Sequence, residues 1–455
     1  MTLPFDLSTL SHAEKDALIL ALWAQVEALT ARVAAVEAKL KEPAKTSDNS
    51  SVAPSKGPKA NRPDKGKRNA PRKGSLGRKG GGRPLAPEPD QFVVAKAAAC
   101  AHCYGALTEA DHTLHARYDK IDLPPIRPVV TRVERYVGHC PCCGEDTLAP
   151  VPDGLEDGSP FGVSILAVAL YLRFVHAISY RRLTRLFVHL FALEISEGAL
   201  DAAFRRAKPR FDDEVEAILA RLRRSRIICS DETTVRVDGK TQWNWVFQNE
   251  AVVIHVIRPS RGRAVITEVL SGHRPQVWVS DLYGAQRGHA DAWQVCLAHQ
   301  LRDLRYAIEA GDTVFAPRLK ALVLRAVVLA RRRFALQDGT RREYRRRLER
   351  DLTAILALTP TNRHGKRLRK RYLQLRNSLF TFLRDPEVPP DNNGSERELR
   401  PMATYRKVTG GFRSDWGRDL CAGVKSVIGT AARQGIDAYQ AILSVLSGRT
   451  SLAPG

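Results

Sequence analysis

The stretch Pro390-Asp-Asn-Asn-Gly-Ser-Glu396-Arg-Glu-Leu-Arg-Pro401 decides how the rest of the chain is interpreted. Its Asp-Asn-Asn-Gly portion is typical of a turn, and the residues after it are typical of a helix start. Ser395 is placed to cap that helix, and Glu398 occupies the capping-box position. The stretch therefore predicts a turn followed by a helix that carries Glu396 near its beginning.

Two earlier stretches each end a short apolar run on an aspartate: Ile227-Ile-Cys-Ser-Asp231 and Val277-Trp-Val-Ser-Asp281. Runs rich in Ile and Val are typical of buried strands, so both aspartates are expected at strand ends on the edge of a sheet. Together with Glu396 they supply the three carboxylates that a pair of divalent cations needs. Glu232 and Glu398 neighbour two of these carboxylates but project in other directions.

Those carboxylates predict a definite chemistry. Two Mg²⁺ or Mn²⁺ ions about 4 Å apart can activate an attacking water or 3′-hydroxyl and stabilise the leaving oxygen of a phosphodiester. Asp231, Asp281 and Glu396 are predicted to be the catalytic residues that hold these ions. Arg397 and Arg400, on the same helix turn as Glu396, are predicted to contact DNA near the scissile phosphate.

Composition points to a nucleic-acid partner. The chain has 455 residues, enough for two to four domains, and a formal net charge of +23. Such an excess predicts a polyanionic partner, with nucleic acid as the first candidate and an anionic membrane surface as the second. We expect no signal peptide, because the first residues lack a basic segment followed by an apolar run. We also expect no spanning helix, since no run of about 18 apolar residues is uninterrupted.

The first 90 residues divide into a helix and a polar segment. A three-and-four spacing of apolar residues predicts one helix over 13–40, either as a coiled-coil dimer seam or as an amphipathic helix packed on its own chain. The seam residues are Ile19, Leu22, Val26, Leu29, Val33, Val36 and Leu40. From Pro43 to about Pro89 the composition cannot form a core, which predicts a disordered basic linker. Its basic residues either contact DNA phosphates or are simply solvated, and we single out Lys67, Arg68, Arg72 and Lys73.

Half of the eight cysteines lie in two Cys-x-x-Cys pairs. In a chain without an export signal, such pairs favour metal binding over disulfides. Four thiolates in tetrahedral array predict a structural zinc ion in a ribbon-like module, with no open position for catalysis. The predicted ligands are Cys100, Cys103, Cys140 and Cys143, and the neighbouring residues that could replace one of them are His102, His139 and Cys142.

The rest of the chain alternates helical and strand patterns. A break near Ser196 between two helices is compatible with a DNA-reading helix-turn-helix and equally with any pair of packed helices. Strands are predicted at 227–231, 242–247, 251–257 and 277–280, with a hairpin turn at Asp238-Gly239. Residues 293–385 have a helical, very basic pattern, which predicts phosphate contacts or, alternatively, solvated faces with pairs such as Glu349 and Arg345. A final helical stretch is predicted over 420–446.

These motifs resemble a known family. The order Asp231, three strands and a helix, Asp281, a helical stretch and Asn392-Asn393-x-x-Glu396-Arg397-x-x-Arg400-Pro401 is similar to that of the DDE transposases of the IS66 insertion-sequence family. The resemblance covers nearly the whole chain. One departure is Leu282-Tyr-Gly after Asp281, where a Gly-Tyr or Cys-Tyr type of sequence is expected. The other similar segments are the zipper-like helix, Asp48-Asn-Ser-Ser-Val-Ala-Pro-Ser55, the cysteine knuckles, Gly411-Phe-Arg-Ser and Ile428-Gly-Thr.

The resemblance implies a multidomain protein with an α/β, ribonuclease H-like catalytic core that contains a helical insertion. It adds Cys296 and His299 as a site-supporting Cys-x-x-His pair, for which a buried helix face is the alternative. It implies element ends and target DNA as partners, a homodimer or higher synaptic assembly, accessory transposition proteins, no membrane, and a bacterial cytoplasmic location with the nucleoid. The expected divisions are a coiled-coil helix (1–42), a disordered basic linker (43–90), a zinc module (91–155), a helical region (156–224), the first part of the core (225–292), the insertion (293–386) and the core completion (387–455).

The sequence thus predicts a DNA transposase that binds the ends of its element and cleaves and rejoins strands by Mg²⁺-dependent transesterification. One alternative is a non-catalytic DNA-binding or regulatory protein, in which the three carboxylates could be replaced without loss of function. A second alternative is a ribonuclease H-like nuclease, which would give hydrolysis products but no joined strands.

Overall fold

The computed structural model of the chain describes residues 10–40, 42–46, 48–50, 83–152, 154–155, 158–449 and 452. The chain divides into two compact units. One comprises Met1–Pro58, Val133–Arg185 and Ile195–Gly455, and the other Lys59–Arg132 and Leu186–Glu194. The predicted DNA contacts Lys67, Arg68, Arg72 and Lys73 lie outside the described residues, as does most of the predicted linker.

A five-stranded mixed sheet lies at the centre of the first unit. Its order is β5-β4-β3-β6-β7, while β1 and β2 form a separate hairpin. β3, β4 and β5 are antiparallel neighbours, and β6 and β7 run parallel to β3. The predicted two-residue turn between β3 and β4 is confirmed, since Asp238 and Gly239 both have positive φ. The strands are β1 Val137–His139, β2 Asp146–Leu148, β3 Ile227–Val237, β4 Lys240–Gln248, β5 Val253–Arg258, β6 Val277–Ser280 and β7 Ala292–Val295.

Helices make up most of the remaining described chain. The long predicted helix near the N-terminus is present, and its seam side chains from Ile19 to Val36 are exposed rather than packed on the rest of the described chain. The helices are α1 His12–Leu40, α2 Val163–Leu170, α3 Tyr180–Phe191, α4 Glu197–Leu222, α5 Arg263–Leu270, α6 Leu297–Glu309, α7 Phe315–Arg332, α8 Asp338–Ala357, α9 Arg363–Leu375, α10 Thr381–Arg384, α11 Asn393–Thr409, α12 Asp415–Arg433 and α13 Ala438–Leu446.

The helix α1 also has the length and mean hydropathy of a membrane-spanning helix. Its segment His12–Ala34 is long and apolar enough to cross a membrane, by length and mean hydropathy alone, and none of it is buried. The segment contains no uninterrupted apolar run of that length, because charged residues such as Glu27 and Arg32 interrupt it. Length and hydropathy do not separate a membrane span from a heptad seam, and the three-and-four spacing favours the seam.

Three boundaries differ from the sequence predictions. β3 continues to Val237, so Asp231 lies within a strand rather than at its end. All of β4 pairs with the part of β3 from Cys229 to Val237. Residues 292–295 form β7 although a helix was expected from 293, since four residues are too few to show a strand pattern. The final stretch is two helices, α12 and α13, and the break contains Gly435 with φ +74°.

The predicted cap of the Glu396 helix is wrong. The helix α11 begins at Asn393, so Ser395 lies inside its first turn and does not cap it. Its buried hydroxyl donates a hydrogen bond to Asn392 Oδ1 at 2.8 Å and accepts one from Gln248 Nε2 at 3.1 Å. The Ser395 hydroxyl therefore forms buried hydrogen bonds with Asn392 and with Gln248 of β4, instead of capping the helix as the sequence pattern predicted.

The helix α12 covers the open edge of the sheet at β5. Ser426 Oγ accepts a hydrogen bond from the His255 amide at 2.8 Å, and Thr430 Oγ1 accepts one from the Val253 amide at 3.0 Å. The Thr430 hydroxyl also donates to the Val253 carbonyl at 3.2 Å. Gly429 permits this approach, because a Cβ there would lie 3.1 Å from Val253 Cβ. Side chains thus satisfy edge groups that would otherwise remain free for another strand.

The helices α6 to α10 lie between β7 and α11, where the sequence predicted a helical insertion. They share an apolar core with β6 and β7 that includes Leu304, Leu319 and Tyr372. One buried carboxylate organises the turn between α6 and α7. Asp312 accepts hydrogen bonds from the amides of Phe315 and Ala316 at 3.2 and 3.1 Å, and so satisfies the first amides of α7.

Candidate active site

The two aspartates lie opposite each other on neighbouring parallel strands. β3 pairs with β6 in the register Ile227↔Val277 to Cys229↔Val279. Continuing that register by two residues places Asp231 opposite Asp281, just beyond the end of β6. In the described chain, each carboxylate makes one hydrogen bond, from the amide of Glu232 at 2.9 Å and of Tyr283 at 2.8 Å respectively. The remaining oxygen lone pairs are free for a ligand.

Asn392 ties the helix that carries Glu396 to the strand that carries Asp231. Its side-chain amide donates to the carbonyl of Ser230 at 2.8 Å, and its backbone amide donates to Cys296 Sγ at 3.2 Å. Asn392 is 1% exposed. The start of α11 is therefore fixed beside the residue that precedes Asp231.

The helix α6 lies on the other side of Glu396. His299 Nε2 is 3.6 Å from Glu396 Oε1, and Arg302 Nη2 is 3.7 Å from Glu396 Oε2. Cys296 precedes α6, and its amide donates to the carbonyl of Ser280, the residue before Asp281, at 2.9 Å. Burial raises the pKa of the Cys296 thiol to about 12, so it is neutral and accepts a hydrogen bond rather than binding as a thiolate. His299 therefore lies directly beside Glu396, whereas Cys296 contacts the backbone next to the carboxylates, at Asn392 and Ser280.

The electrostatics of the site fit a cation. Burial raises the pKa of Asp231 well above its ordinary value, and repulsion from Asp281, Glu232 and Glu396 adds to that rise. Glu396 Oε1 is buried and receives no hydrogen bond within the described residues. In the same residues, no group of three or more potential ligands is close enough to hold one ion by itself. Mg²⁺ needs only one or two protein carboxylates when waters and phosphates complete its shell, so the donor set fits.

The raised pKa of Asp231, caused chiefly by burial, leads to a prediction for the Asp231→Asn variant. A carboxyl whose pKa is raised on folding stabilises the fold when protonated, and this stability is lost as pH rises through the folded pKa. The amide removes that loss, so in EDTA the variant should become more stable relative to the parent as pH rises above the ordinary pKa of an aspartate, about 4. Urea denaturation at several pH values measures the difference. A difference that stays constant with pH would contradict a raised pKa at Asp231.

Two neighbouring carboxylates form close ion pairs with other residues. Glu232 is bound by Arg261 at 2.7 Å and by Gln286 Nε2 at 2.8 Å. Glu398 is bound by Arg433 at 3.0 Å. Both are held at hydrogen-bond distance by an arginine, whereas Arg302 stays 3.7 Å from Glu396, so Glu232 and Glu398 are poorer cation ligands.

Arg397 and Arg400 leave α11 in different directions. Both guanidinium groups are exposed and have no ion-pair or hydrogen-bond partner among the described residues. Arg400 is four residues after Glu396 and lies on the same helix face. Arg397 instead lines a cavity of about 670 Å³, together with Gln248 and Arg433. Only Arg400 therefore follows the face of the carboxylate.

The two cysteine knuckles have the same local geometry. At Cys100 the backbone amide donates to the carbonyl of Gly105, and the amide of Tyr104 donates to the carbonyl of Cys100, both at 2.9 Å. The turn at Cys140 repeats these two bonds with Glu145 and Gly144. Hydrogen bonds from backbone amides, chiefly those of Cys103 and Cys143, lower the pKa of the Cys100 and Cys140 thiols. The knuckles belong to different units, and each by itself has the form of half a zinc site.

The comparisons with known families decide the identification. The model of the transposase IS66 family matches residues 158–419, which is more than half of the chain and spans all three carboxylates. The chain belongs to the IS66 transposase family. A family of unknown function, DUF6444, matches residues 2–83. Comparison with curated proteins gives no match.

In this IS66 transposase, sequence reasoning missed three residues around the carboxylates. Arg302 is three residues after His299, so helical spacing alone could have placed it on the same face. Asn392 was part of the predicted turn and of the string that carries the family resemblance, but it was given no role of its own. Arg261 had no signal in the sequence, because its contacts arise from three separate segments. Its guanidinium lies 3.8 Å from the ring centre of Tyr283 and 4.5 Å from that of Trp243.

Proposed function

We propose that this transposase cleaves and rejoins DNA strands at Asp231, Asp281 and Glu396, with Mg²⁺ or Mn²⁺ as cofactor. The observation that carries the proposal is the convergence of these carboxylates: two aligned across β3 and β6, and one on a helix tied to β3. The sheet order, with three antiparallel strands followed by two parallel ones, supports a ribonuclease H-like core.

The residues around the carboxylates have mainly positional roles. When bound, the cations would activate the attacking hydroxyl and neutralise charge on the leaving oxygen. The register of β3 with β6 sets the separation of the aspartates, and Asn392 fixes the start of α11. Arg302 and His299 flank Glu396 and limit its rotamers. Arg400, one turn further along the same face, is proposed to contact a phosphate beside the scissile bond.

Other parts of the chain support an assembly on DNA. The exposed seam of α1 supports a coiled-coil homodimer, which would bring two element ends together. The matching turns at Cys100 and Cys140 support structural zinc binding by the knuckle cysteines, with two thiolates supplied by each knuckle. We propose that the protein acts on element ends and target DNA at the bacterial nucleoid, with accessory transposition proteins as further partners.

Strand transfer in vitro tests the proposal. The full chain is incubated with Mg²⁺, a target plasmid and a labelled duplex taken from the DNA that flanks the gene, and Ca²⁺ replaces Mg²⁺ in the control. We expect label joined to the plasmid with Mg²⁺ only. Cleavage without joining would favour the nuclease, and binding without either product would favour a non-catalytic DNA-binding protein.

Arg261 is expected to position the second aspartate. Its guanidinium pairs with Glu232 on β3 and stacks on the ring of Tyr283, two residues after Asp281. The Tyr283 hydroxyl also donates a hydrogen bond to the backbone carbonyl of Arg261 at 3.1 Å. In Arg261→Gln the loop after Asp281 loses the guanidinium stacked on Tyr283 but keeps the main-chain acceptor, so the Mg²⁺ concentration for half-maximal cleavage should rise about 10-fold. A Mg²⁺ titration of plasmid nicking measures this shift.

The matched control is Arg258→Gln, which breaks the surface pair with Glu268, whose atoms are 2.6 Å apart. It should change the Mg²⁺ requirement less than about twofold, because exposed ion pairs contribute little. Arg261→Lys should be intermediate, since lysine keeps the charge but loses the planar stack. An equal shift in the two glutamine variants would remove Arg261 from the site.

A further inference from the structure

The helix α9 presents basic side chains that the fold does not use. Its sequence from Arg363 to Leu375 contains six Lys and Arg residues and no Asp or Glu. Three of the six have internal partners: Arg363 binds Glu42, Arg369 donates to the carbonyl of Leu356 at 2.6 Å, and Arg371 binds Asp303. The other three, Lys366, Arg367 and Lys370, are exposed and have no ion pair within the described residues.

These three side chains share one helix face. Lys366 and Lys370 are four residues apart and Arg367 lies between them, three residues before Lys370, so they form a single patch about one turn long. The opposite face of α9 is buried through Leu368, Tyr372 and Leu375. The patch therefore cannot rotate toward the protein, and its charge remains directed at solvent.

The contacts of α9 align it with the helix that flanks Glu396. Asn362 donates to the carbonyl of Ala310 at 2.8 Å, the ring of His364 meets that of Tyr306 at 5.1 Å, and Arg371 binds Asp303. Moving forward along α9 thus means moving backward along α6, toward its first turns. The Asp303 contact lies about 6 Å along the α6 axis from His299. The basic patch consequently runs beside the helix that leads to the carboxylates.

We infer that Lys366, Arg367 and Lys370 form a docking surface for the phosphate backbone of duplex DNA flanking the scissile bond. The inference rests on the proposed function, since it places that DNA along α6 and α9 as it leaves the carboxylates. An exposed cationic patch without internal partners releases counterions when it binds phosphates, which gives binding that is independent of base sequence. Lysine and arginine on one helical turn fit adjacent phosphates and do not form a pocket for a small anion.

The experiment measures the salt dependence of binding to a labelled duplex of arbitrary sequence. The full chain and the variant K366Q/R367Q/K370Q are compared across a KCl series in Ca²⁺, and circular dichroism checks the fold. Each lost phosphate contact lowers the slope of log K against log salt by about 0.9, so the triple variant should lose about 2 to 3 units. Weaker binding with an unchanged slope would overturn the inference.

The chain offers a control with the same loss of charge. Arg342, Arg346 and Arg350 lie on one exposed face of α8, and none has an ion pair within the part of the chain that is described. The variant R342Q/R346Q/R350Q should keep the parental slope to within about half a unit. An equal loss in both triples would show a diffuse field rather than a surface on α9, and would also overturn the inference.

A separate readout distinguishes this inference from the proposed function. Mg²⁺-dependent nicking of a plasmid by the parent protein reports on the carboxylates, whereas the slope in Ca²⁺ reports on α9. A parent that binds DNA with the expected slope but never cuts it would contradict the proposed function alone. If the parent protein cuts DNA but the K366Q/R367Q/K370Q variant keeps the parental salt slope, only the α9 surface is contradicted.

Discussion

Glu396→Gln should abolish strand cleavage and joining, with a loss of at least about 10³-fold. Glutamine keeps the shape of the side chain, so α11 and its tether through Asn392 should remain in place. It removes the negative charge that Oε1, buried and without a hydrogen bond in the described chain, offers to a cation. Strand transfer with the labelled duplex measures the loss, and binding of the same duplex should be unchanged.

The matched control for this variant is two residues away on the same helix. Glu398→Gln makes the same chemical change at a carboxylate that is already bound to Arg433. It should retain activity to within about threefold, because a part-buried pair away from the site affects packing rather than chemistry. Full activity in Glu396→Gln would remove this residue from the catalytic set, and equal inactivation of both variants would indicate a folding defect instead.

Gly365→Ala should destabilise the helical region by about 2 to 4 kcal/mol. A Cβ at Gly365 would lie 2.0 Å from Asp312 Oδ2 and 2.7 Å from Pro360 Cβ. Asp312 is completely buried and accepts hydrogen bonds from the first two amides of α7, so its carboxylate cannot move without losing them. This cost exceeds the gain of about 1 kcal/mol that alanine brings to a helix interior. The urea midpoint, followed by tryptophan fluorescence, measures the change.

The comparison variant is Gly339→Ala in α8. A Cβ there would meet nothing within 4 Å, so only the backbone term remains. We expect a gain of up to about 0.5 kcal/mol, because alanine restricts the unfolded chain without a clash. If Gly365→Ala also raised the urea midpoint, the Asp312 turn would have to be looser than its hydrogen bonds indicate.

Local patterns predicted the parts of the fold that depend on neighbouring residues. The alternation in 242–247 and the Asp238-Gly239 turn specify a hairpin by themselves, and the structure contains it. The extension of β3 to Val237 was missed because the apolar run ends before Asp231 and most of the residues after it are polar. Thr233, Thr234 and Val235 are β-branched and favour the strand that pairing with β4 completes. The position of Ser395 was misjudged for a related reason, since Gln248 is 147 residues away in the chain.

The candidate site shows the same division. Asp231, Asp281 and Glu396 could be named in advance, because each follows a recognisable local pattern. The tether from Asn392 to Ser230 and the stack of Arg261 on Trp243 and Tyr283 join segments far apart in the chain. Such contacts leave no spacing to detect, so one sequence can indicate candidate metal-binding groups but not the residues that hold them in place.

The cover that α12 places on β5 has a consequence for biosynthesis. The hydroxyl that satisfies Val253 belongs to a residue 177 positions later. At about 5 to 20 residues per second, the ribosome completes β5 roughly 10 to 35 seconds before it makes Thr430. During that interval the edge of the nascent sheet is open to other chains. Copies of the gene truncated before α12 would keep that edge permanently, and their products should aggregate and be degraded rather than compete with intact transposase.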